Sequence, residues 1–158
     1  MTLPGIRQLV PHSGPMVLLD RVLEADDNAI CASVGICADS LFYSADAGGV
    51  GSWVGVEYMA QAIAAHAGYL AWREGRPIQV GFLLGARKYS TAAPAFAAGS
   101  TLFVRARLVL RGENGLSAFD CSIALAHDAA PLATATLTVF QPDDVKHFLQ
   151  ENQNGTTV

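Results

Sequence analysis

One carboxylate interrupts the most apolar stretch of the chain. From Gly51 to Trp72 the sequence reads GSWVGVEYMAQAIAAHAGYLAW, and Glu57 is its single acidic residue. Burial disfavours the ionised form of a carboxyl group, so a desolvated Glu57 would keep its proton near neutrality and could donate it. The plainer alternatives are a carboxylate paired with an arginine, or one reaching solvent from a helix end. A proton donor needs a base, and the chain has four histidines. His66 follows Glu57 by nine residues, which at about 100° per residue places it half a turn round the same helix. It cannot meet the carboxylate there and reads as a core or interface histidine. His127 falls at a hairpin turn and His147 in the tail, both in solvated settings. His12, held between Pro11 and Pro15, is left as the base, or else as a loop histidine bonded to backbone. Gln61 lies one turn after Glu57 on nearly the same face, where it could orient the carboxylate or satisfy buried backbone as an amide. The chemistry open to such a set is general acid–base catalysis.

The elements that must position these groups are legible in outline. The apolar run predicts one long helix, with Ser52 as its N-cap and Gly75 and Pro77 as its stop. The N–H groups of Ser52 and Trp53 at its start could face a ligand oxygen that gains negative charge, and Gly49 with Gly48 would let that ligand approach the backbone. A plain N-cap after a flexible loop is the other reading. Strands are predicted in MVLLDRVLEA, AICASVGICA, IQVGFLLGARKYS, TLFVRARLVLR, LSAFDCSIALAHD and LATATLTVFQ. In the fourth, Leu102, Val104, Ala106, Leu108 and Leu110 share one parity and Phe103, Arg105, Arg107 and Val109 the other, so one face should be buried. A helix apolar all round must be enclosed all round. A curved antiparallel sheet wrapped about it is the economical solution, an α+β arrangement of the hot-dog kind.

The bulk properties fit that picture. The 158 residues suit one domain, taken as 1–142, with a tail over 143–158 that begins a short helix and then frays. Hydrophobic residues make up 51% and charged residues 15%, which suggests that another subunit covers part of the surface. A net charge of -4 argues against nucleic acid as a partner. Cys31, Cys37 and Cys121 have no metal-ligand spacing; they read as core thiols, and their odd count fits a reducing, cytoplasmic compartment. The opening MTLPGIRQLV lacks a basic region followed by a long apolar run, so no export signal is expected. The apolar helix is long enough to cross a membrane, but Glu57, Gln61 and His66 interrupt it. No phosphate loop, dinucleotide fingerprint or Cys/His cluster appears, so neither a metal nor a redox cofactor is expected.

Three segments carry a resemblance: LVPHSGPMVLLDRVLE, WVGVEYMAQAIAAHAG and GFLLGARKYSTAAPAFAAGSTLFVRARLVL. In order and spacing they are similar to the 3-hydroxyacyl-[acyl carrier protein] dehydratases, hot-dog enzymes of fatty-acid synthesis, over roughly residues 8 to 140. The resemblance implies that Glu57 is catalytic, that the substrate arrives on the phosphopantetheine arm of an acyl carrier protein, and that two subunits, in a homodimer or a heterodimer, share each tunnel. In those enzymes a histidine of a Gly-His-Phe-Pro loop, fourteen residues before the glutamate, completes the pair. Here that position is Tyr43, with Asp46 nearby, and LFYSADAGGVGSW has no histidine. This resembles a divergent branch associated with aryl-polyene biosynthesis. His12 lies in a loop that in the related enzymes runs close to the tunnel. Arg87 and Lys88, the leading members of a basic group with Arg105, Arg107 and Arg111, are where an acidic carrier protein would dock.

Overall fold

The computed structural model describes residues 2–142, so the tail helix expected after them lies outside the described residues. Two adjacent strands, β1 (Arg21–Ala25) and β2 (Ala29–Gly35), are joined by a turn in which the Asp26 carboxylate accepts the N–H groups of Asn28 and Ala29 at 2.8 Å each. Two short strands, β3 (Tyr43–Ser44) and β4 (Gly49–Gly51), lead into the helix α1 (Gly55–Arg73). The chain then forms β5 (Phe82–Thr91), β6 (Ala95–Ala97), β7 (Thr101–Arg111), β8 (Leu116–Ala124) and β9 (Ala133–Phe140). The long strands make one antiparallel sheet in the order β1-β2-β7-β8-β9-β5, and β3, β4 and β6 make a second, smaller one. One helix packed on a curved antiparallel sheet is the α+β hot-dog architecture expected from the sequence.

Alternation along β7 aims Leu102, Val104 and Ala106 at the helix, while Phe103, Arg105 and Arg107 face outward. The parity fails beyond Leu108. A bulge between Leu108 and Leu110 breaks the register, so Leu110, expected in the buried set, is 62% exposed. The thiols divide as well: Cys31 and Cys121 are buried, but Cys37 lies past the end of β2 and is exposed.

The helix begins differently from the expectation. Ser52–Val54 form a 3-10 turn, the N-cap position belongs to Val54, and the Ser52 side chain caps nothing. β4 runs into the helix without a free loop, so the Ser52 N–H is taken by the Pro94 carbonyl at 2.9 Å. The Ser52 carbonyl in turn accepts the Tyr89 hydroxyl and the Gly55 N–H. The C-terminus follows the sequence reading: Glu74 caps, Gly75 turns left-handed at φ 69°, and Pro77 comes two residues later. At Gly68 the Leu9 carbonyl lies against the helix backbone; an added Cβ would sit 1.9 Å from that oxygen, so only glycine lets the N-terminal segment cross there.

Enclosure of α1 is incomplete. Glu57, Ala60, Ala64 and Ala67 form a half-buried stripe at helical spacing. The strand flanking it, β5, has no buried residue at all. No helix among the described residues is long and apolar enough to cross a membrane.

His66 is in the core, 1% exposed, with Nε2 at 2.9 Å from the Asp26 carbonyl and its ring edge-on to Phe119. Burial pushes its pKa below the usual histidine value, opposed by the Asp26 carbonyl. The unfolded chain therefore binds more protons than the folded one just below pH 6.5, and stability must fall as pH drops through that value. The limiting slope is about 1.4 kcal/mol per pH unit. Denaturant midpoints measured from pH 7 to pH 5 should decline in the wild type and flatten in His66→Gln; parallel slopes would remove His66 as the cause.

Candidate active site

The loop from Leu9 to Met16 carries His12 to the start of α1. Leu9 and Val10 are buried anchors, Pro11 and Pro15 restrict the backbone, and the Arg7 guanidinium donates to the Gly14 carbonyl at 3.0 Å. The result places His12 Nε2 3.7 Å from Glu57 Oε1. Residues 45 positions apart in sequence thus meet, at a distance one small adjustment short of a hydrogen bond. His12 Nδ1 is buried and has no hydrogen-bond partner among the described residues, so nothing there fixes its tautomer.

Gln61 organises the other side. Fully buried, it accepts the Leu18 N–H at 2.9 Å and donates to the Met16 carbonyl at 2.7 Å and to Glu57 Oε1 at 3.2 Å. Both roles considered from the sequence coexist in one amide: it satisfies the backbone of the incoming loop and holds the carboxylate.

Glu57 and His12 open onto a cavity of about 160 Å³ that runs along the half-buried stripe of α1. Its walls are Ala60, Ile63, Ala64 and Ala67 from the helix, Phe82 and Leu83 from β5, and Val139 and Phe140 from β9. These wall residues were not singled out from sequence. The alanines recurring at helical spacing after Glu57 were the available signal, because small side chains leave room beside a helix. Shelter for the carboxylate is partial: 42% of the Glu57 side chain meets solvent in the single chain, against the desolvation expected.

Other sequence candidates lie elsewhere. Gly49, Ser52 and Trp53 are not among the wall residues of this cavity. Gly49 is buried, and the Phe96 carbonyl oxygen lies 1.9 Å from where a Cβ would stand, so β4–β6 pairing requires the glycine. The Ser52 N–H is spent on Pro94, and Trp53 is 66% exposed, edge-on to Phe42. Tyr43 sits in β3 opposite Val50, and Asp46 is exposed; neither borders the cavity. Arg87 and Lys88 are exposed on the edge strand β5, with Lys88 in a left-handed bulge at φ 56°. The basic group is split, because β8 and β9 separate β5 from β7, about 14 Å at the usual strand spacing. On β7, Arg105 contacts His127 and Arg107 pairs with Asp120 at 3.5 Å.

With this geometry in hand, known proteins supply the context. A solved structure described as the dehydratase heterocomplex ApeI:P from Xenorhabdus doucetiae matches with a TM-score of 0.85 at 30% identity, covering 96% of this chain and 99% of that one. S. sahachiroi AziG matches with a TM-score of 0.59 at 16% identity, over 77% of this chain and 90% of its own. A hypothetical thioesterase with coenzyme A from Streptococcus pneumoniae also has a TM-score of 0.59, at 14% identity, over 77% of this chain and 86% of its own. The last two show the fold alone. No curated protein matches. The family model of ApeP-like proteins, described as ApeP dehydratase, matches residues 4–150, which include the His12 loop, the Glu57 helix and every strand. The chain therefore belongs to the ApeP-like dehydratase family.

Proposed function

We propose that this chain dehydrates 3-hydroxyacyl thioesters carried on an acyl carrier protein to trans-2-enoyl thioesters, in fatty-acid or polyene-type synthesis, as one half of a hot-dog heterodimer. The observation that carries the reading is His12 within 3.7 Å of Glu57 at the mouth of an apolar cavity.

The chemistry follows from the pair. Neutral His12 takes the proton from C2 of the acyl chain, and the Glu57 carboxylic acid protonates the departing C3 hydroxyl. The C2–H and C3–O bonds break, the C2–C3 double bond forms, and water leaves. Imidazolium and carboxylate then face each other across the short gap, and one proton transfer from His12 to Glu57 restores the starting state. Gln61 holds the carboxylate in register throughout. Protons move only between side chains and substrate, so the scheme asks for no cofactor.

Heterodimerisation accounts for what the single chain leaves open. Its cavity is smaller than the roughly 300–1,000 Å³ of most ligand sites, Glu57 is part exposed, and Leu83 and Leu84 on the edge strand are 43% and 59% exposed. A second hot-dog subunit seated along β5 would cover all three. The solved relative described as a heterocomplex supports this; with the partner on the Leu83–Leu84 end of β5, Arg87 and Lys88 further along the strand are left for the acidic carrier protein to approach.

The test follows loss of water by intact mass from a 3-hydroxyacyl carrier protein, using this chain alone and with a second hot-dog subunit. The His12→Ala variant should lose about 10²- to 10⁴-fold in rate. An undiminished rate means that the base lies elsewhere. Carrier binding without turnover in both preparations would favour a non-catalytic partner subunit, and free thiol released from a saturated acyl thioester would favour a thioesterase.

A further inference from the structure

We propose that Glu24, Cys31 and His127 form a binding site for a thiophilic divalent cation of the zinc class on the outer face of the large sheet. No spacing in the sequence announces it; the fold assembles it. Glu24 of β1 stands directly opposite Cys31 of β2, and Cys31 stands opposite Arg105 of β7. Their neighbours Ile30, Ala32, Val104 and Ala106 point into the core, so this row faces away from α1. The turn after β8 then folds His127 back over the row, its ring 4.9 Å from that of Phe103.

One donor atom each from Glu24, Cys31 and His127 lie within 4.8 Å of one another. Tetrahedral zinc with sulfur at about 2.3 Å and nitrogen or oxygen at about 2.0 Å needs ligand separations of about 3.3–3.8 Å. Rotation of the two exposed side chains, Glu24 and His127, closes that difference without moving the strands. The donors also suit the metal: a thiolate, an imidazole and a carboxylate are the groups that hold zinc, and three protein ligands leave a fourth position. Glu24, Cys31 and Arg105 also border a cavity of about 490 Å³ on this face. Binding releases the thiol proton of Cys31 as the sulfur–metal bond forms, with no change of oxidation state.

Arg105 is the competitor. Its guanidinium, which can only donate, engages His127 Nδ1. A cation at either ring nitrogen forces Arg105 off, because an imidazole cannot accept from Arg105 and ligate at its other nitrogen while keeping its proton. The arginine therefore weakens the site twice, by occupying a donor and by placing a like charge beside the metal.

That competition gives the site a signature that an incidental cluster lacks. Cobalt(II) titrated into the full-length protein should raise a near-ultraviolet thiolate-to-metal absorption band, and zinc should bind in competition with a chromophoric chelator. Removing a ligand costs at least what removing an outer-shell partner does, about 10- to 100-fold in affinity. Cys31→Ser should abolish the band, and His127→Ala, a change at an exposed position, should weaken binding to that extent. Arg105→Gln should instead tighten it, whereas Cys37→Ser and His12→Ala should leave it unchanged. A cobalt spectrum without a thiolate band, unaltered affinity in His127→Ala, or weaker binding in Arg105→Gln would overturn the proposal.

Discussion

Under the proposed function, Glu57→Gln should lower kcat/KM for a 3-hydroxyacyl carrier-protein substrate by about 10²- to 10⁴-fold, the usual contribution of a positioned general acid. The substitution keeps the length and shape of the side chain, so the cavity walls stay in place. An amide at position 57 can still meet Gln61, whose Nε2 now donates to the carboxylate at 3.2 Å, so folding is little disturbed. What the amide cannot do is release a proton to a departing hydroxyl or take one back from His12 across the gap. The loss should fall on kcat, with KM and carrier binding nearly unchanged, because the acid acts in the transition state. Full activity in this variant would remove Glu57 from the chemistry.

The largest effect on stability is expected from Gln61→Leu. Leucine fits the volume, but it strands the Leu18 N–H and the Met16 carbonyl, now bonded at 2.9 Å and 2.7 Å in a fully buried setting. Each orphaned backbone group costs about 1–3 kcal/mol, so roughly 2–6 kcal/mol should be lost. For a chain of this size that is a fall of about 4–24 °C in Tm. Gln61→Glu discriminates between the amide's two attachments. It keeps the acceptor for Leu18 but removes the donor to both the Met16 carbonyl and Glu57, and it places a like charge beside the carboxylate. It thus orphans one backbone group where leucine orphans two, and activity should drop more than stability. Calorimetry paired with the water-loss assay reads both, and equal losses in the two variants would show that Gln61 acts on the loop alone.

The fold was readable because its signals are local. The strand boundaries in TLFVRARLVLR match β7 residue for residue, since alternation needs only neighbours to be seen. The helix stop at Gly75 needed only a glycine and a proline. What escaped depends on contacts distant in sequence. Ser52 looks like an N-cap until Pro94 claims its N–H, and Gly49 looks like a ligand site until β6 packs against it. The half-open stripe of α1 escaped because an alanine-rich helix reads as apolar all round, whatever stands beside each alanine. For the site, Glu57 was conspicuous as a charge in an apolar run, and Gln61 followed from helical spacing. His12 entered as a remainder after the other histidines, and only the crossing of Leu9 over Gly68 shows how its loop reaches the helix. The grouping of Glu24, Cys31 and His127 could not be seen at all, because strand register brings it together.

The open flank of β5 has a consequence for how the protein must be made. Among the described residues β5 is an edge strand with exposed leucines, a template for any other extended chain, and the Lys88 bulge with neighbouring Arg87 interrupts that template at only one end. Copies synthesised in excess of whatever occupies this flank would therefore be prone to clump and to attract proteolysis. If a second subunit covers this flank as proposed above, balanced production of the two becomes a structural requirement and not a convenience of regulation.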